Sequence, residues 1–279
     1  MISSVASPVP PSTWEGQQLT HMPFLCRRGD RLLLAFARSL FAPRRVPQYS
    51  PSGTTRIWRL AYVQYDPAAG KWGSVRALRT GLPGNEVECS PCVSIHDGQF
   101  DVSFIGTANH GIGRLEHRLF RMSGHSLEHL TRAVPVSRDE CFSGFWRPDL
   151  SALATGHDGE IRLSGSINAR LDTGFQEIAR ISFMDDFPHR LLITGAVPGE
   201  SGQFAGQPQP QTIIYDLLLN AVLGELHVAG APAYKPSASG RFVAHVRPHP
   251  TSHRREAWQV ALTEKISLVP TAMPVRQFK

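Results

Sequence analysis

Residues 20–37 read THMPFLCRRGDRLLLAFA: a polar or aromatic pair, a proline, a short apolar run, a turn and a second apolar run. The phrase returns as ECSPCVSIHDGQFDVSFIG over residues 88–106, as FWRPDLSALATGHDGEIRLSGS over residues 145–166 and as AYKPSASGRFVAHVR over residues 233–247. Self-similarity over tens of residues marks repeat architectures, in which each repeat is one supersecondary unit. Proline suits the start of a strand, where its missing N–H spares the ladder. The motif prolines Pro23, Pro91, Pro148 and Pro236 are separated by 68, 57 and 88 residues. The last gap exceeds one unit, so a degenerate repeat is expected near GQFAGQPQPQTIIYDLLL, with Pro208 or Pro210 as its proline. The expected fold class is all-β, a five-bladed β-propeller; four blades plus an insertion is the alternative.

Working outward, the remaining strand signals fit third and fourth strands of such units. Among them are RIWRLAYVQYDPAAGKWGSVRAL and EAWQVALTEKISLVP, with Gly, Pro, Asn, Asp or Ser in the gaps. TIIYDLLLNAVLG is the one competitor for a helix, and it reads as strand, turn, strand because IYD followed by LGELHV matches an outer hairpin. Residues 1–15 read as a disordered lead-in and 16–279 as a single propeller domain.

At 279 residues the chain is long enough for a sizeable core. Its N-terminus has neither a basic segment nor an apolar one of the kind a secretory signal needs, and no apolar run approaches a membrane span. With four cysteines, that favours reduced thiols and a cytoplasmic location. The net charge of +6 comes mainly from 25 scattered arginines against four lysines. A nucleic-acid binder shows a basic stripe or cluster, so neither a nucleic-acid nor a membrane partner is expected. Cys89-Ser-Pro-Cys92 lacks a second ligand pair, and no histidines stand at a recognised metal spacing, so no metal and no cofactor is implied. On a regular strand Cys89 and Cys92 would point to opposite faces.

In a ring of blades the residues just before each motif proline converge on one mouth. They are His21 and Met22, Glu88, Cys89 and Ser90, Trp146 and Arg147, Gln207 and Gln209, and Tyr234 and Lys235. Glu88 and Asp149 form the best acid/base pair, with His21 as a further candidate base. Trp146, Arg147, Tyr234 and Lys235 suit ligand binding, since aromatic faces stack on sugars and cations orient carboxylates or phosphates. Cys89 joins them as a mouth residue, and the Pro- and Ser-rich loop SLFAPRRVPQYSPSGTTR is a candidate lid.

The phrases Trp146-Arg147-Pro148-Asp149 and Glu88-Cys89-Ser90-Pro91, the latter followed by Gly98-Gln99-Phe100, resemble strand openings of the five-bladed propeller glycosidases, the arabinanase, xylosidase and fructosidase group. The resemblance implies a propeller with a carboxylate-lined mouth. Where that family opens its first blade on Asp-Pro, this chain reads His21-Met22-Pro23. The expected function is a small-molecule-active enzyme with its site at the channel mouth, working by glycosidase-like acid/base hydrolysis or a lyase or cyclase step. The alternative is a non-catalytic module binding a glycan, peptide or protein partner. In either case the expected ligand includes a small polar molecule at the propeller mouth.

Overall fold

LLLAFA, residues 32–37, is apolar at every position because both faces of its strand are buried. Leu33, Ala35 and Ala37 pack into one cluster while Leu32, Leu34 and Phe36 pack into another, all at 1% exposure or less. A strand sandwiched on both faces belongs to a stack of sheets.

The computed structural model describes residues 20–42, 55–80, 87–96, 99–109, 115–123, 126–129, 134–136, 143–147, 152–157, 159–198, 208–248, 258–264, 266–271 and 273–278. These residues form five sheets in chain order, mostly of antiparallel neighbours. The first contains β1 (Thr20–Arg28), β2 (Arg31–Ala42), β3 (Thr55–Asp66), β4 (Lys71–Trp72) and β5 (Arg76–Ala77). The second contains β6 (Val87–His96), β7 (Gln99–Asn109), β8 (Leu115–Ser123), β9 (Ser126–His129) and β10 (Val134–Val136). The third contains β11 (Ser143–Arg147), β12 (Ala152–His157), β13 (Glu160–Gly165) and β14 (Ala169–Asp172). The fourth contains β15 (Glu177–Phe183), β16 (Arg190–Pro198), β17 (Pro208–Asp216), β18 (Ala221–Val228) and β19 (Ala231–Pro232). The fifth contains β20 (Tyr234–Ser239), β21 (Phe242–Pro248) and β22 (Trp258–Thr263).

The opening strands of the five sheets neighbour one another in a closed succession. β1 lies beside β6, β6 beside β11, β11 beside β15, β15 beside β20, and β20 beside β1. Radial repetition of this kind leaves only short protected edges. The apolar clusters fill the gaps between sheets. One, with Leu34, Phe36, Val63, Phe242 and Leu262, seals the first sheet against the fifth. Another, with Leu192, Ile214, Leu226, Ala238 and Val243, seals the fourth against the fifth.

Two sequence expectations are corrected. Pro208 and Pro210 lie on β17, the third strand of the fourth sheet, where they pair with Pro198 and Ala196. That sheet instead opens with Glu177-Ile178-Ala179-Arg180, a version of the phrase without its proline. The expected strand EKISLVP does not complete the last unit either. Its β23 (Ile266–Val269) pairs with β18, and β24 (Arg276–Phe278) continues to the edge strand β14. The C-terminal tail thus runs from the fifth sheet across the outer edges of the fourth and third.

The expected outer hairpin at TIIYD is present, and it repeats. β3 and β17 both end in Tyr-Asp, and the carboxylate Oδ1 accepts the N–H groups two and three residues on. Asp66 accepts from Ala68 and Ala69, both at 3.0 Å, and Asp216 from Leu218 at 3.0 Å and Leu219 at 3.1 Å. Each turn ends on a left-handed residue, Gly70 at φ 62° and Asn220 at φ 50°. Arg190 Nε also donates to Asp216 Oδ2 at 3.0 Å. Burial pushes the Asp216 pKa up, but the donors Leu219, Arg190 and Leu218, with His189 nearby, outweigh it and hold it below the ordinary value. A depressed carboxyl stabilises the fold fully above its unfolded pKa of about 3.9, and that contribution is lost as pH falls through the lower folded value. Urea melts from about pH 6 down to about pH 2 should therefore show an acid decline below about pH 4 that is shallower in Asp216→Asn.

Asp185, just after β15, ties the ring shut. Its Oδ2 accepts Arg27 N of β1 at 2.8 Å and Ser239 Oγ of β20 at 2.7 Å, and its own N–H donates to Ala238 O at 3.2 Å. Gly240 N donates to Asp186 Oδ2, and Leu25 N donates to Ser237 Oγ at 2.9 Å. Three sheets meet at one carboxylate. Asp185→Ala should cost about 2–3 kcal/mol, since hydrogen bonds to a charged acceptor each contribute about 1.5–3 kcal/mol and the Arg27 side is solvated. A Tm lower by roughly 5–10 °C is the calorimetric readout, and an unchanged Tm would remove Asp185 from the closure.

Candidate functional site at the starts of the first strands

The repeated phrase has a common backbone form. In β1 the register slips between His21 and Phe24, in β6 between Cys89 and Cys92, and in β20 between Tyr234 and Ser237. Each slip encloses the motif proline, so Met22-Pro23, Ser90-Pro91 and Lys235-Pro236 are bulges in opening strands. β15 slips between Ile178 and Arg180, with Ala179 in the bulge and no proline. Bulges bend a strand and re-aim side chains, and they concentrate near functional sites. Two of these are strained: Met22 at φ 51° and Lys235 at φ 47° adopt the left-handed region while preceding proline.

The bulges put the candidates on one common step. His21 pairs with Ala37, Cys89 with Ile105 and Tyr234 with Val246, each immediately before its bulge, and Glu88, paired with Gly106, is one residue further back. Trp146 pairs with Leu153 and Arg147 with Ala152 at the end of β11. These positions lie on four opening strands of the ring, and for His21, Glu88, Cys89, Trp146 and Arg147 the backbone position is what is described. Asp149 lies outside the described residues, as do Gln207 and residues 43–54 of the expected lid. Gln209 belongs to β17, paired with Val197, and is not on an opening strand. Cys89 and Cys92 flank the bulge, and their partners Ile105 and Ser103 are two residues apart. Cys92 is a buried thiol in the core cluster, as is Cys26.

Tyr234 is half-buried and Lys235 is 8% exposed. Lys235 Nζ stands 5.2 Å from the Tyr234 ring centroid, a cation–π arrangement. The residue that sequence reading missed is Arg180, just after the β15 bulge and 1% exposed. Its Nη1 donates to the Lys235 carbonyl at 3.2 Å, linking the fourth and fifth sheets behind the bulge. The signal was present: an arginine inside the otherwise apolar alternation EIARISF is a buried charge, which is rare unless paired. Chemically, the described part of this step offers a phenol and two buried cations, a set suited to hydroxyl and anionic groups.

The closed succession of radial sheets defines a β-propeller, and comparison with solved structures agrees. A GH43 β-xylosidase/α-arabinofuranosidase from a compost microbial metagenome, solved with xylotriose, superposes with a TM-score of 0.54 at 9% identity, covering 98% of this chain and 99% of that one. The catalytic domain of a GH62 α-L-arabinofuranosidase from Coprinopsis cinerea gives 0.52 at 10% identity, covering 93% and 95%. At such identities the likeness is one of fold. No protein-family model matches the chain, and no curated protein does.

Proposed function

We propose that each of the five sheets is one blade and that the chain is an enzyme acting on a small polar, sugar-like molecule at the mouth of the ring. In this reading Glu88 and Asp149 are the acid/base pair of a glycosidase-like hydrolysis and His21 assists as a base. Trp146, Arg147, Tyr234 and Lys235 bind the ligand, with Cys89 at the edge of the same space. Glycoside hydrolysis needs two placed carboxyl groups, one protonating the leaving oxygen and the other acting as base or nucleophile. The observation that carries the reading is the shared step: sequence-distant pairs on four opening strands stand at or next to the same proline phrase.

A second reading, a non-catalytic binding module, is favoured by one observation: the first strand offers His21 rather than a carboxylate at this step. A lyase or cyclase step with His21 or Glu88 as base needs the same mouth. The test is incubation of the full chain with aryl α-L-arabinofuranosides and β-D-xylosides, following the released phenol and the anomer of the product. Turnover with one defined anomeric outcome supports hydrolysis. Binding of sugars without turnover supports the module.

A further inference from the structure

The first sheet carries an arginine pair at the same end of the ring. Arg38 of β2 pairs with Thr20 of β1 on one side and with Arg59 of β3 on the other. Along β2 the even positions Leu32, Leu34 and Phe36 face the fifth sheet, so alternation turns Arg38 the same way. Arg38 is half-buried, and its Nε is buried with no hydrogen-bond partner. Among the described residues no carboxylate forms an ion pair with it. Burial pulls its guanidinium below the usual arginine range.

Opposite it stands the start of the fifth sheet. Tyr234 pairs with Val246, and Ser237 pairs with Ala244, a member of the cluster that faces the first sheet. The bond from Leu25 N to Ser237 Oγ sets the height of β20 against β1. Tyr234 and His21 hold the same place in their strands, each the last residue before its bulge, and His21 is one residue from the Thr20–Arg38 pair. Lys235 follows, its Nζ near the Tyr234 ring. A half-buried guanidinium with no counter-charge among the described residues is costly. An anion relieves that cost.

We propose that the cleft between the first and fifth sheets at the mouth is an anion subsite, in which Arg38 receives the carboxylate or phosphate of a polyhydroxylated ligand. Lys235 adds charge and Tyr234 a phenol to the opposite wall. The proposal rests on the mouth being the ligand site, and it narrows the substrate class to acidic sugars.

The probes are D-glucuronate, inorganic phosphate and neutral D-xylose, titrated calorimetrically into the full chain and into Arg38→Gln and Arg38→Lys. Both anions should bind the wild-type chain, and Arg38→Gln should weaken that binding about 10- to 100-fold, the span expected for a charge-assisted hydrogen bond. D-Xylose should not distinguish the variants. Tighter binding of glucuronate identifies a carboxylate sugar as the ligand, and tighter phosphate a phosphorylated one. Arg38→Lys keeps the charge without the bidentate fork and should retain phosphate better than glucuronate. It stands in for the test if Arg38→Gln fails to fold by circular dichroism. Arg241→Gln, an exposed substitution beside Glu264, should leave anion binding unchanged. Unchanged anion binding in both Arg38 variants, or a loss equal to that in Arg241→Gln, overturns the subsite. If neutral glycosides are hydrolysed and neither anion binds, the subsite fails while the hydrolytic reading stands. Arg38-dependent anion binding without hydrolysis has the reverse meaning.

Discussion

Glu88→Gln and Asp149→Asn should each lower kcat for aryl glycoside hydrolysis by about two to four orders of magnitude, the range a positioned general acid or base contributes. The two losses should not multiply. Residues that act as a unit in one step give a double variant little worse than the worse single one. The leaving group separates the roles. A variant lacking the general acid recovers activity on substrates whose phenol needs no protonation, while a variant lacking the base or nucleophile does not. Small molecules such as azide or formate should restore the second kind. Steady-state kinetics over a series of aryl leaving groups checks all of this, and a loss below about threefold in both variants would move the chemistry elsewhere on the ring.

Removing the C-terminal tail after Glu264 should be the most damaging change to the fold. The tail covers two sheet edges: β23 pairs along Glu225–Val228 of β18, and β24 along Arg170–Asp172 of β14. Met273 and Val275 pack against the large core cluster, and Tyr215 Oη donates to Gln277 Oε1 at 3.1 Å. Burying two such side chains partly contributes about 1–2 kcal/mol each, and the lost pairing adds more, so a loss of at least about 3 kcal/mol is expected. Two uncovered edges also invite association between chains. Scanning calorimetry and sedimentation should show a Tm lower by roughly 10 °C and concentration-dependent association. Gly224→Ala tests the same contact without truncation. At φ 151° a Cβ there would stand 3.0 Å from the Val269 carbonyl, so the substitution should push β23 off its edge and cost about 1–2 kcal/mol. If both variants melt like the parent, the tail is decoration.

How much of this was legible in the sequence depends on whether the signal was local. RLLLAFA reads as a strand because an apolar run along one strand needs no partner to be seen. The Tyr65-Asp66 and Tyr215-Asp216 hairpins are equally local, since the aspartate bonds to its own turn. The x-x-Pro phrase gave four of the five opening strands. It failed at the fourth sheet because a bulge requires only an extra residue: Ala179 fills the place without a proline, and Pro208 and Pro210 lay nearby as decoys. The path of the tail was illegible for another reason. Ile266–Val269 would pair with any free edge, and which edge is free is decided by the closure of the whole ring.

The site was legible in outline only. The phrase marked the backbone positions of His21, Glu88, Cys89, Trp146, Arg147, Tyr234 and Lys235 on four opening strands, and on three of those strands a bulge encloses its proline. It did not mark Arg180 or Arg38, whose meaning comes from burial. An arginine at the end of RLLLAFAR reads as solvated until the facing sheet is known to cover it.

The central claim, that the mouth of the ring carries out carboxylate chemistry on a sugar, is tested most directly by a crystal structure of the chain soaked with an arabinose- or xylose-containing oligosaccharide. The account predicts sugar density at the starts of the opening strands, with the Glu88 and Asp149 carboxyls facing it from about 5 to 9.5 Å apart. The shorter separation would announce retention of configuration and the longer one inversion. Either carboxyl turned into a sheet and satisfied by backbone N–H groups, with the sugar absent from the mouth, would contradict it.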